Sequence, residues 1–374
     1  MKSIYRPTII LRIFFLIPLL FLASCGSERA LKRDLNKQAK SYYKAFNHLS
    51  LPEQTFEHLW HVYENYYALF EEKNVDWNAM YTTYRPEVSS QTSEKELIAI
   101  FANMLNPLKD GHVRLIKNGK NAIQLTRRTS YFARNFQDRL GEFHENTTDV
   151  LKSNGFSKMN LSYRSYSYEE FGLTHLFYYT NSDRLAYVKI VECIHNLDLL
   201  DQILSSLAEK EGLILDLRYN LGGSVGKEMG ARFIEKDKGI GFVVQKGPKG
   251  FLPPRNLSVK ASSPNRPKAM VVLVSDATFS AAEEFVMTLK GEKHITIIGT
   301  KTGGYLSDVF NYRLPNGINT WLSHQKYYSN DFALLEDKGI SPDIWMENTP
   351  EDLDKTRDPL IEKALDLLNT SLNK

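Results

Sequence analysis

The sequence predicts an α/β fold in which a core sheet with flanking helices follows a small N-terminal helical domain. Apolar runs of strand length begin at Leu185, Gly212 and Met270, and each leads through a turn into a helical pattern. These runs lack polar alternation, which is typical of parallel strands that are covered on both faces. Upstream, between residues 51 and 109, apolar residues recur instead at helical spacing.

The first 24 residues are typical of an export signal. Three basic residues and no acidic one precede an apolar run, residues 13–23, which is too short for an ordinary membrane span. Small residues and Cys25 follow, and this pattern resembles a bacterial lipoprotein signal, in which the cysteine becomes the first residue and carries lipid. We therefore expect lipidation at Cys25, with a plain secretory signal or a short anchor helix as the alternative.

The composition is that of a globular protein, because 42% of the 374 residues are hydrophobic and 24% are charged. The formal net charge of +3 comes from the signal segment, since a chain beginning at Cys25 has 44 basic and 44 acidic residues. We therefore expect no nucleic-acid-binding surface. We expect export to the bacterial cell envelope and lipid anchoring at the periplasmic or outer-membrane face. Cys193 has no disulfide partner and is expected to be a small buried hydrophobe.

Composition and periodicity divide the rest of the chain into five segments. We predict a tether (25–50), the N-terminal helical domain (51–112), a mixed connecting region (113–185), an α/β core (186–349) and a C-terminal helix (350–374). The aromatic stripe from Phe56 to Phe70 is expected to be core. His58 and His61 could lie on adjacent helical turns, but no third ligand is evident, so no metal site is expected.

The core elements follow in order along the chain. Strands are predicted at 185–191, 212–217, 270–275 and 294–298, and helices at 198–208, from Gly223 to about Glu235, from Ser280 onward and over 359–368. Pro315-Asn316-Gly317 lies between two apolar runs and predicts a β-hairpin.

Ser280 lies at the junction between a predicted apolar strand and a helix. A serine held there can present a nucleophilic hydroxyl, and the helix N-terminus supplies unpaired N–H groups for developing negative charge. The same pattern fits a capping box, since Glu283 follows at the third position, and the local sequence does not separate the two roles. A Gly-rich turn follows another strand, so the N–H groups of Gly222 or Gly223 and of Ala281 could form an oxyanion hole.

A nucleophilic serine needs a general base. His112 follows a glycine after the second helical pattern, which predicts a histidine on a loop. Eight other histidines compete with it, and spacing does not choose among them.

Six short segments together resemble the C-terminal processing peptidase and tricorn core family of serine peptidases. They are 108–113, 185–190, 212–223, 271–285, 299–304 and 339–344, in the family's order. The resemblance implies a crotonase/ClpP-like core, a nucleophile at Ser280, and oxyanion donors at Gly222 or Gly223 and at Ala281.

The family has two catalytic arrangements. One uses a lysine base, but Tyr305 occupies that position here, and Lys301 lies four residues earlier. The tricorn-like branch uses a histidine and a glutamate, which this chain has as His112 and Glu336. The resemblance therefore implies His112 as the general base and Glu336 as its support, although Glu336 alone would be interpreted as an exposed loop acid. The tricorn protease also has a serine directly before its histidine, where this chain has Gly111.

The expected function is that of an exported, lipid-anchored serine peptidase that hydrolyses peptide bonds through an acyl-enzyme. Its partners would be a protein or peptide substrate and the membrane, and no cofactor or metal is expected. The alternative is a non-catalytic binding protein on the same fold that holds a hydrophobic ligand or peptide. The joint presence of Ser280, His112 and Glu336 favours the enzyme.

Overall fold

The computed structural model describes residues 37, 41–42, 44–123, 125, 130–164, 173–262 and 267–373. The export signal, Cys25 and most of the predicted tether lie outside these ranges. Within them, no helix is both long and apolar enough to cross a membrane.

Helices and strands are distributed along the whole described chain. The helices are α1 (Leu51–Tyr66), α2 (Trp77–Tyr84), α3 (Glu94–Leu105), α4 (Tyr131–Phe136), α5 (Leu140–Ser153), α6 (Leu197–Ser206), α7 (Gly226–Gly230), α8 (Ala281–Leu289), α9 (Pro350–Asp354) and α10 (Pro359–Leu372). The strands are β1 (Arg114–Lys117), β2 (Lys120–Asn121), β3 (Asn160–Arg164), β4 (His175–Asn181), β5 (Leu185–Ile190), β6 (Gly212–Asp216), β7 (Lys238–Gly247), β8 (Gly250–Phe251), β9 (Arg255–Val259), β10 (Ala269–Val274), β11 (Ile295–Gly299), β12 (Val309–Arg313), β13 (Asn319–Ser323), β14 (Gln325–Tyr328) and β15 (Ile344–Trp345).

The N-terminal helices begin at polar caps and share an apolar core with a β-hairpin. Asp76 accepts a hydrogen bond from the N–H of Ala79 at the start of α2, and Ser93 accepts one from the N–H of Glu96 at the start of α3. The aromatic stripe is largely buried, as predicted, and packs with apolar side chains of β12 and β13 such as Tyr312. This shared core joins the N-terminal helices to the second half of the chain.

The predicted hairpin around residues 315–317 is confirmed. Its strands belong to a four-stranded antiparallel sheet of order β12-β13-β1-β2. Strand β1 begins at Arg114, directly after the segment that carries His112. The sheet therefore fastens that segment to the downstream half of the chain.

A seven-stranded sheet of order β15-β11-β10-β6-β5-β4-β3 forms the centre of the α/β core. From β15 to β5 each adjacent pair of strands is parallel, whereas β4 pairs antiparallel with both β5 and β3. Helices α6, α7 and α8 cover one face, and α5 and α10 cover the other. The predicted α/β class with flanking helices is confirmed, and coverage of both faces explains the unbroken apolar runs. In a smaller sheet, β7 pairs with β14, β8 and β9.

Buried charges fasten α10 to this sheet. Arg218 donates hydrogen bonds to Asp216, at the end of β6, over 2.7 Å and to Asp358, the N-cap of α10, over 2.8 Å. Each of these three side chains is at most 1% exposed. Removing one partner of such a buried pair costs about 3–5 kcal/mol, because the other charge is left without compensation.

One helix is shorter than predicted. The pattern after Gly223 predicts a helix to about Glu235, but α7 covers only Gly226–Gly230. At Gly226 the backbone touches α8, so that an added β-carbon would lie 1.7 Å from the carbonyl oxygen of Ala281. At Gly230, where α7 ends, an added β-carbon would lie 2.7 Å from the β-carbon of Thr288 on α8. Because glycine is a weak helix former, the glycines that permit this close packing also shorten the helix.

Candidate active site

Ser280 lies between β10 and α8, at the N-cap position of α8, as predicted. Its backbone has φ 56° and ψ −125°, a conformation that costs energy for any residue other than glycine. Its N–H donates a hydrogen bond of 3.2 Å to the carboxylate of Glu283, which is one half of a capping box. The residue therefore caps a helix while its side chain extends from a strained turn.

The turn before Ser280 is tied to the turn after β6. The Thr278 hydroxyl accepts from the N–H of Ser275 over 3.0 Å and donates to the carbonyl of Leu217 over 2.8 Å. The N–H of Phe279 donates to the carbonyl of Asn220 over 2.9 Å. These bonds hold the two strand-end turns side by side.

Gly222 packs directly against Ser280. Its φ is +90°, and an added β-carbon would lie 2.6 Å from the β-carbon of Ser280. The N–H of Gly222 is already engaged, because it donates to the Asn220 side chain over 3.0 Å. In contrast, no described residue accepts a hydrogen bond from the N–H of Gly223 or of Ala281. Of the predicted donors, these two fit an oxyanion hole better than Gly222 does.

His112 lies on a loop, as predicted, and the fold brings this loop against the Ser280 turn. The imidazole contacts the ring of Phe279 edge-on, with 4.9 Å between ring centroids. The N–H of His112 donates to Asp110 over 2.9 Å, and the second oxygen of Asp110 accepts from the Tyr67 hydroxyl over 3.0 Å. His112 and Asp110 are both buried. Asp110 was not among the predicted site residues. Because an aspartate side chain often accepts a hydrogen bond from the backbone N–H two residues later and so forms a turn, this signal could have identified it.

The packing around Gly111 explains why this chain lacks the serine that the tricorn pattern has directly before its histidine. A β-carbon on Gly111 would lie 2.9 Å from Cε2 of Phe279 and 3.4 Å from Cδ1 of Tyr305. The two aromatic rings occupy the space that a serine side chain would need.

Glu336 is buried, with 3% of its surface exposed, so its interpretation as an exposed loop acid does not describe this residue. No described residue donates a hydrogen bond to its Oε1 atom. Burial raises the pKa of Glu336 well above its usual value, and the nearby carboxylates of Asp110 and Glu283 raise it further. A backbone hydrogen bond from Ser307 and the positive charge of Lys73 lower this pKa.

Glu283 has a larger role than the capping expected from sequence. One of its oxygens accepts from the Thr302 hydroxyl over 2.6 Å and from the N–H of Gly304 over 2.7 Å. The other accepts from the N–H of Tyr305 over 2.7 Å and from that of Ser280. Burial raises the pKa of Glu283 to about 7, although all four hydrogen bonds lower it. Glu283 thus connects the loop after β11 to the backbone of Ser280.

Tyr305 lies at the position where the other branch of the family has its lysine. Its ring packs on Phe279, with 4.9 Å between centroids, and lies 6.4 Å from the ring of His112. Lys73, which follows α1, extends its ammonium group to 5.9 Å from the Tyr305 ring and 2.7 Å from Oδ1 of Asp337. No sequence pattern marks Lys73, because its partners lie more than 200 residues away.

An open cleft of about 500 Å³ lies beside this cluster. It is lined by the loop after β11, by the turn after β10 and by the exposed ring of Trp345. The described residues contain no group of three or more side chains suited to hold a metal ion.

Two family models match the chain. Residues 184–346 match Peptidase family S41, and residues 52–106 match the Tricorn protease C1 domain. The first segment covers β5 to β15, and the second covers α1 to α3.

Individual proteins are similar over partly the same region. A crystal structure of a candidate peptidase from Parabacteroides merdae is 27% identical and superposes with a TM-score of 0.67 over 85% of this chain and 97% of that one. The Tricorn protease homolog of Saccharolobus solfataricus is 26% identical over 190 residues, which are 49% of this chain and 17% of that protein. The carboxy-terminal processing protease CtpA of Bacillus subtilis is 31% identical over 152 residues, which are 40% of this chain and 32% of that protein.

The match to these two named proteases therefore spans less than a third of the length of either. The S41 family model and the superposition on the Parabacteroides merdae structure nevertheless agree with each other. Residues 184–346, a little under half of the chain, are therefore similar to peptidase family S41.

Proposed function

We propose that this protein is a serine peptidase in which Ser280 is the nucleophile, His112 the general base and Glu336 the support of His112. The contact between His112 and Phe279 carries the proposal, because it joins the loop of the histidine to the residue that precedes the serine. The strained backbone of Ser280 at a helix N-terminus supports a nucleophilic role, since strain of this kind clusters at functional sites.

The first half of the reaction forms an acyl-enzyme. His112 removes the proton of the Ser280 hydroxyl while the oxygen attacks the carbonyl carbon of a peptide bond. The N–H groups of Gly223 and Ala281, together with the N-terminal end of α8, stabilise the oxyanion. His112 then donates the proton to the leaving amine, and the C–N bond breaks.

The second half releases the product. Water loses a proton to His112 and attacks the ester, and Ser280 recovers its proton as the acid product leaves. During each half, His112 carries a positive charge. The buried carboxylates of Asp110 and Glu336 would stabilise that charge, because Coulomb attraction is strong where water is excluded.

A peptide or an unfolded segment of a protein is the substrate that we propose. The open cleft next to Tyr305 supports this proposal, since it has room for several residues of an extended chain. We propose no cofactor, because each step uses protein groups and water alone.

A fluorophosphonate probe that reacts with activated serines tests the proposal on the full chain. We expect labelling of the wild type and a loss of labelling in Ser280→Ala and His112→Ala. Ser93→Ala is the matched control, because Ser93 also begins a helix with a capping box but lies at α3. Equal labelling of the wild type and Ser280→Ala would refute the assignment of Ser280 as the nucleophile. An unlabelled wild type that binds hydrophobic ligands would instead support the binding-protein alternative.

We also propose that the protein is exported and anchored to the cell envelope by lipid on Cys25. The basic start, the short apolar run and the cysteine that follows support this proposal. Metabolic labelling with an alkyne fatty acid should mark the wild type and Cys193→Ser but not Cys25→Ser. Equal labelling of both cysteine variants would contradict lipidation at Cys25.

A further inference from the structure

Lys73 is a buried lysine that takes no part in the proposed reaction steps. Its side chain is 5% exposed, and its ammonium group pairs with Asp337 over 2.7 Å. Burying a lysine is costly unless its charge is compensated. Asp337 directly follows Glu336, so the lysine is bound to the turn that carries the proposed support of the base.

The turn itself has a constrained backbone. Asp337 has φ +59°, which is unfavourable for an aspartate, and its N–H donates to the carbonyl of Gly304 over 2.8 Å. A salt bridge to a buried ammonium group is therefore one of the contacts that hold this conformation. If the bridge were lost, the turn could relax and Glu336 could move with it.

Negative charge accumulates around Glu336. The carboxylates of Asp110 and Glu283 are buried nearby, and both oppose ionisation of Glu336. Among the described groups that act on Glu336, Lys73 supplies positive charge and the N–H of Ser307 supplies a hydrogen bond. Three buried acids without a nearby cation would favour protonation of at least one of them.

We propose that Lys73 is a positioning residue for catalysis, which offsets the buried charge of Glu336 and fixes the Glu336–Asp337 turn so that Glu336 can support His112. This inference rests on the proposed peptidase function. It also gives the N-terminal helical region two roles, because both Lys73 and His112 come from it. Docking of that region would then bring together the base and a cation that favours ionisation of the support of the base.

The experiment compares pH profiles of kcat/KM, or of the fluorophosphonate labelling rate, for three variants of the full chain. Lys73→Met removes the charge and Lys73→Arg keeps it. Lys326→Met is the matched control, because Lys326 is 8% exposed and also joins the core to the N-terminal region, through a 2.5 Å salt bridge to Glu72.

In Lys73→Met, we expect the acid limb of the profile to move to higher pH by about one unit, because Glu336 becomes harder to ionise. We also expect a lower kcat with little change in KM. Lys73→Arg should retain the wild-type limb, and Lys326→Met should leave the limb unchanged even if it lowers stability. An equal shift in Lys73→Met and Lys326→Met would overturn the inference.

A second measurement does not depend on activity. The carboxyl ¹³C signal of Glu336, assigned by its absence in Glu336→Gln, reports the ionisation of this group directly. Its midpoint should rise by about one pH unit in Lys73→Met and stay constant in Lys326→Met. An unchanged midpoint in folded Lys73→Met would disprove the role of Lys73. A shifted midpoint together with a fully reactive Ser280→Ala variant would retain the electrostatic link and reject the peptidase proposal.

Discussion

The imidazole of His112 lies edge-on against the ring of Phe279, with 4.9 Å between their centroids, although 166 positions separate the two residues along the chain. Phe279 directly precedes Ser280, and its own N–H is bound to the carbonyl of Asn220. The hydrogen bond that fixes Phe279 therefore also helps to fix how His112 approaches Ser280. Through this contact, His112 of the N-terminal region meets Ser280 of the α/β core in one candidate site.

The first prediction concerns Gly111, which permits this contact. In Gly111→Ser the new β-carbon would lie 2.9 Å from the Phe279 ring, so the ring or the loop must move. We expect a loss of stability of about 1–3 kcal/mol, as for other overpacked sites, and a loss of the proposed peptidase activity. Urea unfolding and probe labelling measure the two effects.

The double variant Gly111→Ser/Phe279→Leu is the control. A smaller side chain at position 279 makes room for the serine, so part of the lost stability should return. If the double variant is no more stable than the sum of the single changes predicts, steric conflict with Phe279 is not the cause.

The second prediction concerns Glu283, which accepts four hydrogen bonds from the Ser280 turn and the loop after β11. In Glu283→Gln, an amide group replaces one oxygen and faces N–H or O–H donors, so at least one buried donor loses its acceptor. Such a loss costs about 1–3 kcal/mol. We expect kcat to fall by about 10- to 100-fold with little change in KM, because Ser280, the proposed nucleophile, loses its fixed position.

Glu284→Gln serves as the matched control for that variant. Glu284 is buried on the same helix, but it accepts from the Tyr327 hydroxyl and pairs with Lys227. Its side chain makes none of the hydrogen bonds that tie Glu283 to the Ser280 turn. Equal losses of kcat in the two variants would show that general damage to α8, rather than the position of Ser280, is responsible.

The third prediction separates backbone strain from steric conflict at Gly222. Gly222→Ala would bring a β-carbon within 2.6 Å of the Ser280 β-carbon, and φ is +90° there. Gly250→Ala is the control, because φ is +95° but no atom lies within 4 Å of the added carbon. We expect Gly250→Ala to cost about 1–2 kcal/mol from the backbone alone and to remain active. Gly222→Ala should cost more and should abolish labelling of Ser280, and retained labelling would contradict the close approach.

Much of the α/β core could be predicted from sequence because its signal is local. Strands β5, β6, β10 and β11 are continuous apolar runs bounded by turns, and their observed limits differ from the predicted ones by about one residue. The helix after Gly223 was predicted too long, because its glycines serve a contact with α8 that only the folded structure reveals.

The candidate site was predicted only in part, since its electrostatics depend on residues far apart in sequence. Ser280 has a local signature at a strand-to-helix junction, and His112 and Glu336 came from a family resemblance. The hydrogen bonds that Glu283 accepts from residues 302–305 and the approach of Lys73 to Asp337 have no sequence signature. The burial of Glu336, which reverses its interpretation as a loop acid, likewise follows from tertiary packing alone.

The last prediction concerns the stability of the fold in acid, through His144 on α5. Burial lowers the pKa of His144 to about 3; the positive charges of Lys189 and Arg218 lower it further, whereas Asp216 opposes them. In the unfolded chain the residue takes up a proton near pH 6.5, so between about pH 6.5 and 3 the unfolded state binds more protons. Stability must therefore fall as the pH falls through this window.

The variant His144→Gln removes this titration while keeping a polar side chain of similar reach. Between pH 7.5 and 4.5, we expect the wild type to lose on the order of 2 kcal/mol more stability than His144→Gln does. Urea unfolding at the two pH values measures the difference. His195→Gln, at an exposed position outside α5, should lose as much stability as the wild type. Equal acid sensitivity of the wild type and His144→Gln would mean that His144 is not held neutral by the fold, and that the acid response arises elsewhere.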